Sequence, residues 1–296
     1  MADLPPLYKY LNVQGAKLTL GNRTFKHSKP SDFNDLEDLT IRSIFPESDE
    51  VALAAINSGL SGILLKHLND TPTIEDPKLR ASIAVMQQVF RKHPEAVKIV
   101  QDGMRKSPVF NLDQMQAKNK KFVAEINNFM QGYRILCVSE LKDSERMWEL
   151  YAQHNEGIAL RIVPNLEKDS KFGLFRSVKY QDARPPLYDS TLSFLEDAIF
   201  GNQEKKRKAI LDKIVYAKTH EWGYEKEYRL AIPIHADGQD WNTLSYQPEE
   251  ITELYLGHKM SDETKREIIS LAQAVNPDVE IFQSSLDADG QLSFCQ

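Results

Sequence analysis

The sequence predicts an α+β fold, and three observations carry that prediction. Short aromatic and β-branched runs open the chain and recur from residue 133 to its end. Between about 50 and 130, apolar residues fall instead at helical spacing. No Pro/Gly/Ser linker separates the two regimes. Residues 1–296 therefore read as a single domain whose interrupted core carries an all-helical insertion at about 50–130.

Taken in order, Leu7-Tyr8-Lys9-Tyr10 follows Pro5-Pro6 and reads as a strand, and residues 23–28 read as a second extended piece closed by Pro30. Ser31-Asp32-Phe33-Asn34-Asp35 gathers residues whose side chains bond nearby backbone donors, so a loop or helix cap is expected. Within the helical region Ile83, Met86 and Phe90 share one face, as do Phe122, Ile126 and Phe129. Pro94 and Gly103 are expected to break it into separate helices. Strand signals resume at 133–139. Asp143-Ser144-Glu145 then opens a short helix that Gly157 is expected to end before a strand at 158–163. A strand at 174–180 and a long helical stretch at 191–219 follow. That stretch carries Lys205-Lys206-Arg207-Lys208, read as a solvated face or a phosphate-binding patch. The remainder alternates: strands at 227–233 and 253–256, a helix at 261–274 and a strand at 279–283.

Hydrophobic residues form 41% of the chain and charged residues 27%, as in a protein with a substantial core. The net charge of −6 argues against broad binding to polyanions while leaving room for a local basic cleft. Cys137 and Cys295 are too few for a disulfide framework or a four-cysteine metal site, which fits a reducing, cytoplasmic compartment; Cys137 reads as core packing. No run approaches the roughly 20 apolar residues of a membrane span, so no membrane partner is expected. His27, His67, His93, His154, His220, His235 and His258 lack metal-ligand spacing, and the phosphate-loop, His-Glu-x-x-His and Gly-x-Ser-x-Gly signatures are missing. No metal site is expected.

Three segments stand out. In Trp222 to Leu230, Glu225 and Glu227 lie two apart in an expected strand, which would aim both carboxylates at one face. If that face is enclosed, repulsion raises one pKa and divides acid/base from hydrogen-bonding roles; otherwise it is a solvated face flanked by Lys226 and Arg229. In residues 140–158, Met147, Trp148 and Tyr151 either bury a helix against a sheet or meet a substrate, with His154 set to gain from the helix dipole. Around Phe33, Asn34 and Asp35, with Glu37 just after, the alternatives are a capping loop and a substrate-contacting loop.

In this order the segments resemble the bacterial domain-of-unknown-function family two-nine-seven-one, over residues 7 to about 260. The resemblance rests on Leu7-Tyr8-Lys9-Tyr10, on Asn34-Asp35, on Met147-Trp148 with Tyr151-Ala152, His154 and Gly157, and on Trp222 with Tyr224-Glu225 and Glu227-Tyr228-Arg229. The family commonly continues Asn-Asp with Pro and an aromatic, where this chain has Leu36-Glu37. More remotely, the motif order resembles ADP-ribosyltransferase folds. That resemblance implies a central, mainly antiparallel split sheet of ADP-ribosyltransferase type. It also implies NAD as substrate, a protein or nucleic-acid acceptor, a toxin or phage-defence role and room for a regulatory protein partner.

Carried over by position, Lys9 stands where the family's basic residue does, Ser28 on its serine and Glu227 on its catalytic glutamate, with Glu225 as upstream partner. Tyr8, Tyr10 or Trp222 would stack on the nicotinamide ring. Lys9 departs from the family's His or Arg, because lysine lacks the guanidinium fork and the neutral ring nitrogen. Two further classes are compatible with the sequence: a metal-dependent nuclease with Asp35, Glu225 and Glu227 around Mg²⁺, and a noncatalytic sensor using the Met147–Tyr151 surface.

Overall fold

The computed structural model describes residues 4–35, 37–67, 74, 77–106, 111–201, 203–234, 243–287 and 290–296; Leu36 and His235 lie outside them. In chain order the elements begin with β1 (Leu7–Leu11), α1 (Val13–Asn22) and β2 (Thr24–Lys26). Helices α2 (Asp49–Lys66), α3 (Pro77–Lys92), α4 (Ala96–Lys106) and α5 (Leu112–Met130) follow. Next come β3 (Tyr133–Ser139), α6 (Glu145–Tyr151), β4 (Ile158–Ile162), β5 (Arg176–Ser177) and β6 (Lys179–Gln181), then α7 (Thr191–Phe200) and α8 (Gln203–Ile210). The chain closes with β7 (Ala217–Thr219), β8 (Glu227–Pro233), β9 (Thr243–Ser245), β10 (Ile251–Leu256), α9 (Asp262–Val275), β11 (Glu280–Leu286) and β12 (Leu292–Cys295).

The chain divides into two compact units. The first comprises Met1–Asp38, Gln131–Ala183 and Lys218–Gln296. Among the described residues, eight of its strands form one sheet in the order β12-β11-β10-β4-β1-β3-β8-β5. Its pairs are antiparallel except β10–β11, where α9 supplies the crossover that a parallel pair requires. This is an α+β architecture on a mainly antiparallel sheet. Strand alternation divides the sheet's two faces. On one side Leu7, Leu160 and Leu254 pack with Ala16 and Leu20 of α1 and with Ile268 of α9. On the other, Tyr8, Tyr10 and Tyr255 meet Met147 and Trp148 of α6.

The junction of β1 with β3 breaks the regularity. β1 pairs along its whole length with β4, from Leu7↔Ile162 to Leu11↔Ile158, yet meets β3 only at Tyr8↔Ser139. On its other side β3 is fully paired with β8. Residues 135, 137 and 139 turn their backbone groups toward β1, as alternate residues of an antiparallel strand do. Only Ser139 finds β1. Ile135 exchanges two 2.9 Å hydrogen bonds with Ser28, and the carbonyl of Cys137 accepts a 2.9 Å hydrogen bond from Lys9 Nζ. A side-chain amine thus fills the ladder position where the strands part.

The second unit comprises Leu39–Met130 and Arg184–Ala217, so the helical segment at 50–130 folds together with α7 and α8. Ile44, Phe45, Ala52 and Met115 form one core cluster in it, and Ile74, Ile83 and Phe90 another. The Glu47 carboxylate accepts from the Thr191 backbone N–H at 3.1 Å, fixing the start of α7. Among the described residues no helix is long and apolar enough to cross a membrane.

Several elements differ from the sequence expectation. Helix α1 occupies a stretch that carried no clear period, begun by the Asn12 side chain accepting from Gly15 N–H at 2.6 Å. The second extended piece shortens to β2, which pairs with β9, and Ser28 lies beyond it. Gly103 does not break the helices: α4 runs through it in open space, whereas Pro94 does separate α3 from α4. The stretch at 191–219 divides into α7, α8, a π-turn at Leu211–Val215 and β7. Residues 174–180 yield β5 and β6 rather than one strand. Phe129 is 48% exposed instead of sharing the buried face of Ile126. Helix α6 ends at Tyr151, and Gln153, His154 and Asn155 are left-handed in succession (φ 50°, 54° and 71°), so Gly157 precedes β4 rather than ending the helix.

Gly157 and Gly257 lie side by side at the ends of β4 and β10, joined by Gly257 N–H to Gly157 C=O at 2.9 Å. A Cβ on Gly157 would sit 2.2 Å from the Leu11 carbonyl oxygen, a backbone atom that cannot rotate away. Gly157→Ala is therefore expected to lower stability by about 1–3 kcal/mol in urea unfolding. Gly103→Ala, in an exposed helix interior, is expected to raise it by roughly 0.5–1 kcal/mol. Equal midpoints for the two variants would contradict this assignment of the two glycines.

Candidate functional site

A cavity of about 210 Å³ lies within the first unit where β1 and β3 part, bordered by Lys9 and Cys137 of those strands. Asn34, Asp35 and Asp38 contribute from the loop after β2, and Lys218, Glu225 and Glu227 from the segment that leads into β8.

The two glutamates converge by a route the sequence did not suggest. Glu225 closes a short 3₁₀ segment, His220–Glu225, and Lys226 is left-handed (φ 43°), so only Glu227 belongs to the strand. A turn, not strand alternation, brings the carboxylates together. Alternation instead pairs Glu227 with Arg229, whose side chains share one face of β8. Arg229 is fully buried and grips Glu227 through Nε and Nη2, both at 2.8 Å. Its other edge meets Asp38 at 3.1 and 2.5 Å. Lys218 Nζ donates to Glu225 at 2.5 Å and Glu227 at 3.2 Å and lies 3.7 Å from Asp38. Tyr151 OH donates to the second Glu225 oxygen at 2.6 Å.

Three carboxylates thus share two cations in a buried cluster, leaving one negative charge in excess. The excess falls on Glu225. Burial raises its pKa and the Glu227 charge raises it further, against the opposing pull of Lys218. For Glu227, burial also pushes upward, but Arg229 and then Lys218 outweigh it and hold the carboxyl well below the usual range. Lys218 is desolvated too, and its carboxylate neighbours nonetheless raise its pKa. The Cys137 thiol has its pKa raised by burial and then by the Glu227 charge, so it stays neutral beside that carboxylate.

Of the residues singled out from sequence, Tyr8, Lys9, Tyr10, Ser28, Asn34 and Asp35 border this cavity, as do Tyr151, Trp222, Glu225 and Glu227. Trp148 and His154 do not. Helical phase explains the first: Met147 and Tyr151, four apart, face the cavity, whereas Trp148 turns into the core. There its Nε1 donates to the Lys142 carbonyl at 2.8 Å and its ring lies edge-on to Tyr10. His154 sits in the left-handed turn beyond α6, exposed and paired with Glu149 at 2.5 Å. Tyr8 and Tyr10 are buried, and Tyr10 OH is tied to the Leu141 carbonyl at 2.8 Å, so Trp222 is the more accessible of the three stacking candidates. Asp35 also caps its own turn, its carboxylate accepting from Glu37 N–H at 2.9 Å.

Two sequence readings are corrected. The acidic pair and Arg229 do not form a solvated strand face; all three are buried. In the Met147–Tyr151 segment the aromatic and thioether side chains turn inward rather than forming an aromatic outer surface: Met147 and Trp148 are buried and Tyr151 is bound to Glu225, while Leu150 stays exposed. The nuclease arrangement of Asp35, Glu225 and Glu227 meets a physical obstacle, because the Lys218 ammonium sits between Glu225 and Glu227 where a cation would. Among the described residues no group of three or more His, Cys, Asp or Glu side chains is placed to hold a metal ion. Asp38 and Lys218 escaped sequence reasoning because neither lies in a motif; Arg229 had a signal, its two-residue spacing from Glu227.

Fold and cluster together define an α+β protein with an acidic, cation-braced cleft at a parted sheet. Residues 147–230, a stretch that carries Tyr151, Lys218, Glu225, Glu227 and Arg229, match the family described as Protein of unknown function (DUF2971). No curated protein and no solved structure matches the chain.

The cluster makes stability depend on pH with a definite sign. Glu227 is depressed, so its contribution is complete above the unfolded carboxylate value of about 4.3 and is lost as the pH falls below it. Glu225 is raised and acts oppositely, costing stability above that value and returning it on protonation. Urea midpoints taken from about pH 7 down to about pH 3 should therefore fall less steeply in Glu227→Gln than in the parent; an identical slope would count against the assignment. Arg229→Met, which strands two buried carboxylates, is expected to cost about 3–5 kcal/mol at neutral pH, and a loss below about 1 kcal/mol would contradict the bracing role.

Proposed function

We propose that this cleft binds NAD and cleaves its nicotinamide–ribose bond, transferring ADP-ribose to a protein or nucleic-acid acceptor. The observation that carries the reading is the pair of buried carboxylates sharing Lys218, one held ionised and the other driven toward its protonated form. Breaking the bond builds positive charge on the ribose, and a fixed, ionised carboxylate such as Glu227 stabilises that oxocarbenium-like state. Glu227 accepts from Arg229 and Lys218, the two cations that hold it ionised.

Glu225, with its raised pKa and its tie to Tyr151, is suited to take the proton of the acceptor nucleophile. Trp222, partly exposed beside Lys218 with the ammonium 4.7 Å from its ring centre, supplies a stacking surface for the nicotinamide. Ser28 and Asn34 supply polar contacts for its amide. In this reading the parting of β1 from β3 is the split of an ADP-ribosyltransferase-type sheet. An activity that consumes NAD suits a toxin or phage-defence effector in the cytoplasm, restrained by a regulatory protein.

The test is nicotinamide release from NAD, followed by chromatography. The parent protein should release it, and Glu225→Gln and Glu227→Gln should each reduce the rate about 10²–10⁴-fold while retaining a cooperative unfolding transition. Undiminished release in both variants would remove the acids from the reaction.

A further inference from the structure

We propose that Lys9 is a Schiff-base-forming amine, condensing with the carbonyl carbon of an open-chain aldose held in the cleft. Two lysines border the cavity, and their surroundings differ in kind. Lys218 is ion-paired with Glu225, Glu227 and Asp38. Lys9 makes no ion pair among the described residues, and its ammonium end donates at 2.9 Å to the carbonyl of Cys137, a neutral acceptor. Lys9 is half-buried and borders the cavity where the strands part. Burial lowers its proton affinity, and the nearby Cys137 and Glu227 only partly restore it. An enclosed amine of this kind presents a nitrogen lone pair, which is what nucleophilic catalysis by lysine requires.

The chemistry closes without an oxidant or reductant. The lone pair attacks the aldehyde carbon to form a C–N bond, and the nitrogen's proton passes to the carbonyl oxygen to give a carbinolamine. Glu225, in the same cavity and driven toward its protonated form, supplies the proton with which the hydroxyl leaves as water. The nitrogen lone pair then closes the C=N bond. Addition of water reverses each step. The identity of the sugar, ADP-ribose whose C1 is freed when water takes the acceptor's place after N-glycosidic cleavage, rests on the function proposed above; the reactivity of Lys9 does not.

The full-length chain is treated with ribose 5-phosphate and cyanoborohydride, which reduces the imine to a stable amine, and labelled lysines are mapped by mass spectrometry. Lys9 should acquire the sugar faster than the exposed Lys26, since burial at the cavity wall favours its neutral amine. In Lys9→Arg that adduct should vanish while Lys26 labelling is unchanged. Labelling of Lys9 no faster than Lys26 overturns the proposal. Nicotinamide release measured in parallel separates the two claims. Labelling without release leaves Lys9 standing and removes the NAD reading, whereas release without labelling removes Lys9 alone.

Discussion

The site depends on one constraint: a guanidinium cannot shed its proton, and Arg229 is fully buried. Its charge must be met by carboxylates that come to it. Glu227 arrives along the same strand, two residues away on the same face; Asp38 arrives from 191 positions earlier in the chain. The demand for Asp38 carries the loop of Asn34 and Asp35 to the wall of the cavity. The demand for Glu227 keeps that carboxylate ionised while desolvated. Lys218 extends the cluster to Glu225, where the charges no longer balance. Buried ion clusters are often no more stabilising than apolar packing of the same volume. The physical consequence that matters here is the division between two neighbouring acids, which packing alone cannot produce.

A second constraint shapes the space those acids face. β1 is committed to β4 along its length, and β3 to β8, so between them the sheet is held by the single pair Tyr8↔Ser139. The unpaired backbone groups of β3 still need partners, and Ser28 and Lys9 provide them. The same two residues thereby become the lining of the cavity. A structural requirement of the parted ladder and the chemistry of the cleft are met by one set of side chains.

Much of this was legible from local pattern. Strand alternation put Tyr8 and Tyr10 on one face, Ser144 marked the start of α6, and the acidic pair at 225 and 227 was visible as an anomaly. What failed were arguments that borrowed one period for a different geometry. The two-residue spacing of Glu225 and Glu227 predicts a common strand face, but the left-handed Lys226 intervenes, and convergence comes from a turn. Trp148 and Tyr151 both read as substrate-contacting, whereas helical phase, which stacks Met147 with Tyr151 and Trp148 with Ala152, sends one into the core and the other to Glu225. Helix α1 was hidden because Gly15 and an exposed Leu18 blur its period, leaving the Asn12 cap as its clearest mark. The Asp38–Arg229 pair had no local signal at all, since nothing in either neighbourhood encodes a partner so distant in sequence.

The division of the two acids is open to direct measurement. With glutamate labelled at the side-chain carboxyl carbon, and with Glu225→Gln and Glu227→Gln for assignment, a carbon NMR titration reads the apparent pKa values of the coupled pair. One transition should lie well below the ordinary value of about 4.3 and one above it, the lower tracking Glu227 and the upper Glu225. Two carboxyls titrating together near 4.3 would mean that the cluster does not divide them, and the chemical role drawn from it would fall.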